Sequence, residues 1–134
     1  MVYEWSRDLE TGYKVIDDQH KALFAAVNDF SDAYRSGKGR EEIEKTLYFL
    51  IDYSARHFHD EEELQKKYAF PHFDRHRQDH ILFKKQALRL AGRFKAEGPS
   101  DALMNEIYEW AGNWLLHHIK SDDFVLAAFI REPS

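Results

Sequence analysis

The stretch HFHDEEELQKKYAFPHFDRHRQDH, residues 57–80, carries five of the chain's eight histidines, interleaved with carboxylates. Imidazole and carboxylate are the donors that hold first-row metal ions when thiolates are lacking, and the chain has no cysteine. Both are also ordinary surface residues, and a single inward histidine is most often a core residue with a satisfied partner. Direction decides between these readings. A helical residue advances about 100°, so positions four apart share a face and lie about 6 Å apart along the axis. His57 and Glu61 have that spacing, and so do His76 and His80.

On helical wheels His20 joins the stripe of Leu23 and Val27. His57 and Glu61 follow Leu47, Leu50 and Ser54, whereas His59 and Glu63 face outward. His76 and His80 continue the line of Phe83, Ala87 and Phe94, with His72 at its start. His118 sits among Trp110, Ala111 and Trp114, and His117 falls at the edge. Burying one lone ionisable group costs several kcal/mol, roughly 2–7 for a polar group without a partner and more for a charge. Five inward histidines plus Glu61 therefore point to a shared partner, and a metal centre is the obvious one. Six donors overshoot one four-coordinate zinc ion. HRQDH at 76–80 has the two-histidine spacing of a zinc protease, but Arg77 stands where the glutamate base would be. The paired Glu-x-x-His motifs of ferritin-like di-iron proteins do not occur, Asp17-x-x-His20 being the nearest. The set is rich in histidine and poor in carboxylate.

The elements that position these side chains follow from punctuation and periodicity. Gly37 and Gly39, Pro71, and Gly98-Pro99-Ser100 divide the chain, and between them apolar residues recur at helical intervals. Helices are expected over 17–36, from 40 or 41 to 68, over 71–95 with Pro71 at the first helical position, and from an N-capping Ser100 onward. The expectation is an all-α, up-down-up-down four-helix bundle within a single domain over 1–134, with a short N-terminal arm. The tail FVLAAFI at 124–130 is more apolar than a frayed end and is expected to pack across the open end of the bundle.

Hydrophobic content of 43% suits a packed core, and a net charge of −5 disfavours nucleic acid and anionic membrane as partners. The N-terminus MVYEWSRDLETGYKV does not read as a signal peptide, and the longest apolar run is too short to cross a bilayer. A cytoplasmic, monomeric protein is expected.

Trp5, Gly12, IDDQHKALF at 16–24, HFxxEE from 57, FP at 70–71, HxxxH at 76 and 80, and WLLHHIKSDD from 114 form an ordered set over nearly the whole chain. In that set the chain resembles the hemerythrins in their bacterial single-domain form. The resemblance implies two iron ions per chain with a bridging oxo or hydroxo group. His76, His80 and His118 would bind one iron, His20 and His57 the other, and Glu61 and Asp123 would bridge them. It implies reversible dioxygen binding as a hydroperoxide at the two-histidine iron, in a pocket of Leu23, Phe58, Trp114, Leu115 and Ile119. That is the work of a carrier, store or buffer, not an enzyme, serving an oxygen-consuming partner protein. The rival functions are a di-iron enzyme acting on peroxide or nitric oxide, a dioxygen or redox sensor, and a metal store.

Three positions depart from an easy match. Asp123 lies five residues after His118, about 140° away on a regular helix, so the fourth helix must end or distort near Lys120. Asp122 is its geometric rival. Gln65 stands on the inward face where the family usually has methionine, and Phe70 replaces the family's tyrosine. His59, His117 and the remaining glutamates of the EEE run read as solvated surface, and His72 as too far along the helix for the cluster.

Overall fold

A computed structural model describes residues 3–131, all helical or irregular, with no strand among the described residues. Four long helices run in sequence: α1 (Lys14–Arg35), α2 (Arg40–Lys67), α3 (Phe73–Glu97) and α4 (Asp101–His118). A π-helical turn, Ile119–Asp123, joins α4 to a short α5 (Phe124–Arg131), and a 3-10 turn, Arg7–Leu9, precedes α1. The connections are short, so sequence neighbours lie antiparallel. α1 packs against α2 and α4, and α2 against α3.

The helix ends show why the chain turns where it does. Ser100 caps α4 as expected, its Oγ accepting the Leu103 amide at 3.2 Å. α1 closes with the Gly37 amide bonded to Tyr34 O and the Lys38 amide to Ala33 O, a Schellman turn with Gly37 at φ 74°. α2 closes the same way: the Phe70 amide donates to Gln65 O at 2.8 Å and the Ala69 amide to Lys66 O at 3.2 Å. Here the left-handed position is held by Ala69, φ 51°, not by glycine. That motif overrides the expected start of α3 at Pro71. Phe70 turns inward and is buried, Pro71 lies in the turn, and the helix begins at Phe73. Proline after such a cap is favoured because it cannot prolong the helix.

The antiparallel order sorts the residues by height. The start of α2, the end of α3 and the start of α4 meet the end of α1 in a wholly apolar layer that includes Phe30, Ile43, Leu47, Phe94 and Ile107. The opposite end gathers the start of α1, the end of α2, the start of α3 and the end of α4, which are the segments that carry the inward histidines. α5 closes this end, burying Leu126 against Ile16 and Phe70. The N-terminal arm lies along α4, with Tyr3 against Tyr108 at a ring separation of 4.9 Å. Asp17 anchors the arm's root, accepting from the Thr11 amide at 2.8 Å, the Thr11 hydroxyl at 2.7 Å and the Gly12 amide at 3.2 Å. That use accounts for its burial.

Candidate metal centre

His20, His57, Glu61 and Asp123 are all buried, and each offers a donor atom within 4.8 Å of the others. Glu61, His80 and His118 form a second such group, so Glu61 belongs to both. Its two oxygens reach both groups: Oε1 meets His57 Nε2 and lies 4.0 Å from His20 Nε2 and 3.4 Å from His118 Nε2, while Oε2 lies 3.6 Å from His80 Nε2. Asp123 divides likewise, with Oδ2 2.5 Å from His20 Nε2 and Oδ1 3.1 Å from His118 Nε2. Both carboxylates thus touch both histidine groups, and Asp123 gives one oxygen to each.

Asp123 reaches this position through the π turn. Bonding from i to i+5 places more residues in each turn than an α-helix, so the residue five after His118 swings back under it. Asp122 is carried outward instead, its Oδ2 3.4 Å from the outer ring nitrogen of His118. His76 is buried but belongs to neither donor group. Its Nε2 faces Asp122 Oδ1 at 3.8 Å, and its Nδ1 is held by Gln65 at 2.8 Å. His59, His72 and His117 are exposed.

The donor set fits a pair of cations. His57 Nε2, His80 Nε2, Glu61 Oε2 and Asp123 Oδ1 are buried without a hydrogen bond, although opposite partners stand close by. Lone pairs that converge without hydrogen-bond alignment suit an ion between them. Electrostatics agree. Burial pushes the His57 ring toward neutrality, but the Glu61 and Asp123 carboxylates overcome it and raise its pKa to about 9. His118 is raised well above the usual range against the same burial, chiefly by Asp123 and then Glu61. Burial works to protonate Asp123, yet the His118 charge and its hydrogen bonds hold it well below the usual carboxylate range. Burial and Asp123 push Glu61 up, and the His57 and His118 charges bring it down overall. Protons on two rings thus supply the positive charge that these carboxylates demand, and metal binding would release them. His76 and His80 are lowered by burial, which keeps their rings neutral.

Rings and side chains fix the cluster from outside. Phe58 stacks on His80 at 4.1 Å and Trp114 on His118 at 4.5 Å. Gln19 Oε1 lies 2.7 Å from His57 Nδ1, and the same amide donates to Asp60 Oδ2 at 2.7 Å. Glu62 Oε2 lies 2.9 Å from His80 Nδ1, so Glu62 is not the solvated surface residue expected. These three partners were not singled out from the sequence because they act across helices, and no spacing within one helix reveals them.

Of the residues expected around a ligand pocket, Leu23, Phe58, Trp114 and Leu115 line a small cavity of about 10 Å³, on the scale of one water-sized molecule. Ile119 is fully buried but does not line it. Ser54 contributes a hydroxyl to the wall, but that group donates to Leu50 O at 2.7 Å. The cavity surface is otherwise apolar.

The chain is similar to known proteins in sequence and in fold. The family model for the hemerythrin HHE cation binding domain matches residues 11–130. A bacteriohemerythrin of Pseudomonas aeruginosa is 33% identical over 119 residues, covering 89% of this chain and 75% of its own. A myohemerythrin of Theromyzon tessulatum is 31% identical over 122 residues, covering 91% of this chain and 88% of its own. The crystal structure of a wild-type hemerythrin superposes with a TM-score of 0.87 at 28% identity, covering 98% of this chain and 100% of that one.

Proposed function

The chain belongs to the hemerythrin family, and from that premise we propose that it binds dioxygen reversibly at a non-haem di-iron centre, as a single-domain carrier, store or buffer. Two ferrous ions, when bound, supply the two electrons that reversible dioxygen uptake requires. His20 and His57 would hold one ion and His76, His80 and His118 the other, with Glu61 and Asp123 shared. The observation that carries this reading is that two buried carboxylates each touch both histidine groups, Asp123 with one oxygen toward each.

The chain's own residues do the rest by position. The two-histidine side has fewer protein donors, which leaves room there for a small ligand. Leu23, Phe58, Trp114 and Leu115 line a small, largely apolar cavity, two of whose walls, Phe58 and Trp114, stack on His80 and His118, and such a lining would keep water from competing. Ser54 keeps its proton on a backbone oxygen, so it offers none to that space. His57, locked through Gln19 to Asp60, presents the same ring nitrogen throughout. Reversibility depends on this dryness, because outside acid or water would carry the reaction to completion.

The test is to reduce iron-loaded protein without air and then admit dioxygen. A visible ligand-to-iron charge-transfer band should develop and disappear again under vacuum, with two iron ions counted per chain. Irreversible oxidation, or turnover of added peroxide at catalytic rates, would replace the carrier with an enzyme. One zinc ion per chain would end both readings.

A further inference from the structure

The outward face of α3 differs in charge from the molecule that carries it. Over Phe73–Glu97 the helix holds seven lysines and arginines against three carboxylates, a net +4, in a chain whose net charge is −5. Arg93 marks the flank that faces α4: its guanidinium meets Glu106 across the seam at 2.9 Å and Glu97 on its own helix at 3.2 Å. Leu82, Lys85 and Arg89 precede it at spacings of three, four and four, so they stand on the same flank. Lys85 and Arg89 are exposed and pair with no carboxylate among the described residues, Arg89 reaching only Gln86. Leu82, one turn from Lys85, is 62% exposed.

Across the same seam a stack of rings leads inward. Trp110 and Trp114 are half-buried, and both lie on Phe83, at ring separations of 4.6 and 4.5 Å. Trp114 then stacks on His118 at 4.5 Å, with the ring planes 16° apart. A partly exposed indole is therefore in contact with a ring of the proposed centre. Electron tunnelling weakens steeply with distance and with gaps in packing, so an unbroken stack from surface to ligand favours transfer here. The exposed aromatic patch on α2 is the contrast. Tyr48 and Phe49 stand among Glu41, Glu44 and Asp52, and Phe49 stacks on Tyr53, not on a ligand ring. That patch would repel an acidic partner that the α3 flank attracts.

We infer that the α3–α4 seam, with Leu82, Lys85 and Arg89 as its rim and Trp114 as its inner contact, is where an acidic one-electron donor protein docks to reduce the oxidised centre. The inference rests on the di-iron reading above. A pair of ferric ions has no electrons to lend to dioxygen, so a carrier that loses them must regain two. No bond forms or breaks in the transfer. Each encounter oxidises the donor by one electron and reduces one ferric ion to ferrous, and a second encounter completes the pair. Opposite charge gathers and orients the donor over the seam, and the leucine supplies an apolar contact from which water is excluded.

Reduced plant-type ferredoxin, an acidic and paramagnetic one-electron donor, serves as the probe. Added to zinc-loaded, nitrogen-15-labelled protein, it should broaden the amide signals of Leu82, Lys85 and Arg89 and the indole N–H signals of Trp110 and Trp114. The broadening should fade at high salt. In stopped-flow reduction of the diferric protein, Lys85→Glu with Arg89→Glu should slow the second-order rate by about tenfold or more. Lys38→Glu with Lys45→Glu, the same change of net charge near the start of α2, should stay within about twofold of the parent. Trp114→Leu should lower the limiting rate at saturating ferredoxin, and Trp114→Phe, which restores a ring, should recover it. Broadening centred on Tyr48 and Phe49 or spread evenly, a parent-like rate in the Lys85 and Arg89 double reversal, or binding of phosphatidylserine vesicles in place of ferredoxin at this face would overturn the inference. The mapping needs no iron and so fails separately from the di-iron reading, which a chain taking up fewer than two metal ions would remove by itself.

Discussion

The two ends of the bundle bury side chains equally well and do so for opposite reasons. At one end Phe30, Ile43, Leu47, Phe94 and Ile107 are nearly inaccessible and carry no polar side-chain atom. At the other, His20, His57, Glu61 and Asp123 are each 0% exposed. The first kind of burial stabilises by removing carbon from water, by about 1.5–3 kcal/mol for a large side chain. The second costs free energy unless the charges find partners. The same four rods therefore divide their labour along their length: one end holds the fold, and the other holds a charge arrangement that the fold has to tolerate.

The sharpest way to break that contrast is to remove one donor. His57→Ala should abolish dioxygen binding and cost the metal-free protein about 3–5 kcal/mol, because Glu61 and Asp123 lose a buried positive neighbour. The oxygenation band of iron-loaded protein and urea unfolding of the metal-free protein would read the two effects separately. His59→Ala, two residues on and exposed, should stay within about 0.5 kcal/mol and keep full metal affinity. Equal losses in both variants would refute the assignment of faces.

Phe94→Ala attacks the apolar end. Truncating a buried phenylalanine there should cost about 3–5 kcal/mol in urea unfolding. Zinc bound per folded chain should remain at the parent value. A loss of metal from the folded variant would mean that the two ends are mechanically coupled.

This contrast also governs what could be read from sequence. The apolar layer follows from periodicity alone, because Phe30, Leu47, Leu90, Phe94 and Ile107 repeat at helical intervals and carbon has one direction to go. The inward histidines were legible by the same wheel. Asp123 was not: a regular helix turns it away from His118, and only the π turn at Ile119–Asp123 swings it back. The resemblance supplied its spacing where geometry favoured Asp122. Gln19, Asp60 and Glu62 escaped notice because their bonds cross between helices, and Glu62 sits in a glutamate run that looks solvated. The start of α3 was misplaced because a Schellman turn formed on alanine, where glycine is the usual signal.

A smaller test concerns how the arm is held against the fold-bearing helices. A Cβ built on Gly112 would collide with the Tyr3 ring, whereas one built on Gly92 meets nothing within 4 Å. Gly112→Ala should therefore displace the arm and cost about 1–3 kcal/mol. Amide exchange at Tyr3, whose N–H donates to Asn28 Oδ1 at 3.2 Å, should accelerate. Gly92→Ala lies in an exposed helix interior and should stabilise by about 0.5–1 kcal/mol. If both substitutions stabilise, the arm is not seated on Gly112.

The least expected effect lies at the turn that covers the metal end. Ala69 holds φ 51°, a conformation that costs an L-residue about 1–2 kcal/mol, while glycine there forfeits about 0.5–1 kcal/mol through the greater freedom of its unfolded chain. The difference predicts that Ala69→Gly stabilises the metal-free protein by roughly 0.5 kcal/mol, a small rise in the urea midpoint at unchanged slope. The turn's backbone bonds, Phe70 amide to Gln65 O and Ala69 amide to Lys66 O, should persist, so zinc affinity should not move. A variant with altered zinc affinity would show that the strain at Ala69 is transmitted through Phe70 to the His76 ring, and the separation between the fold-bearing end and the ion-bearing end would then fail at this loop.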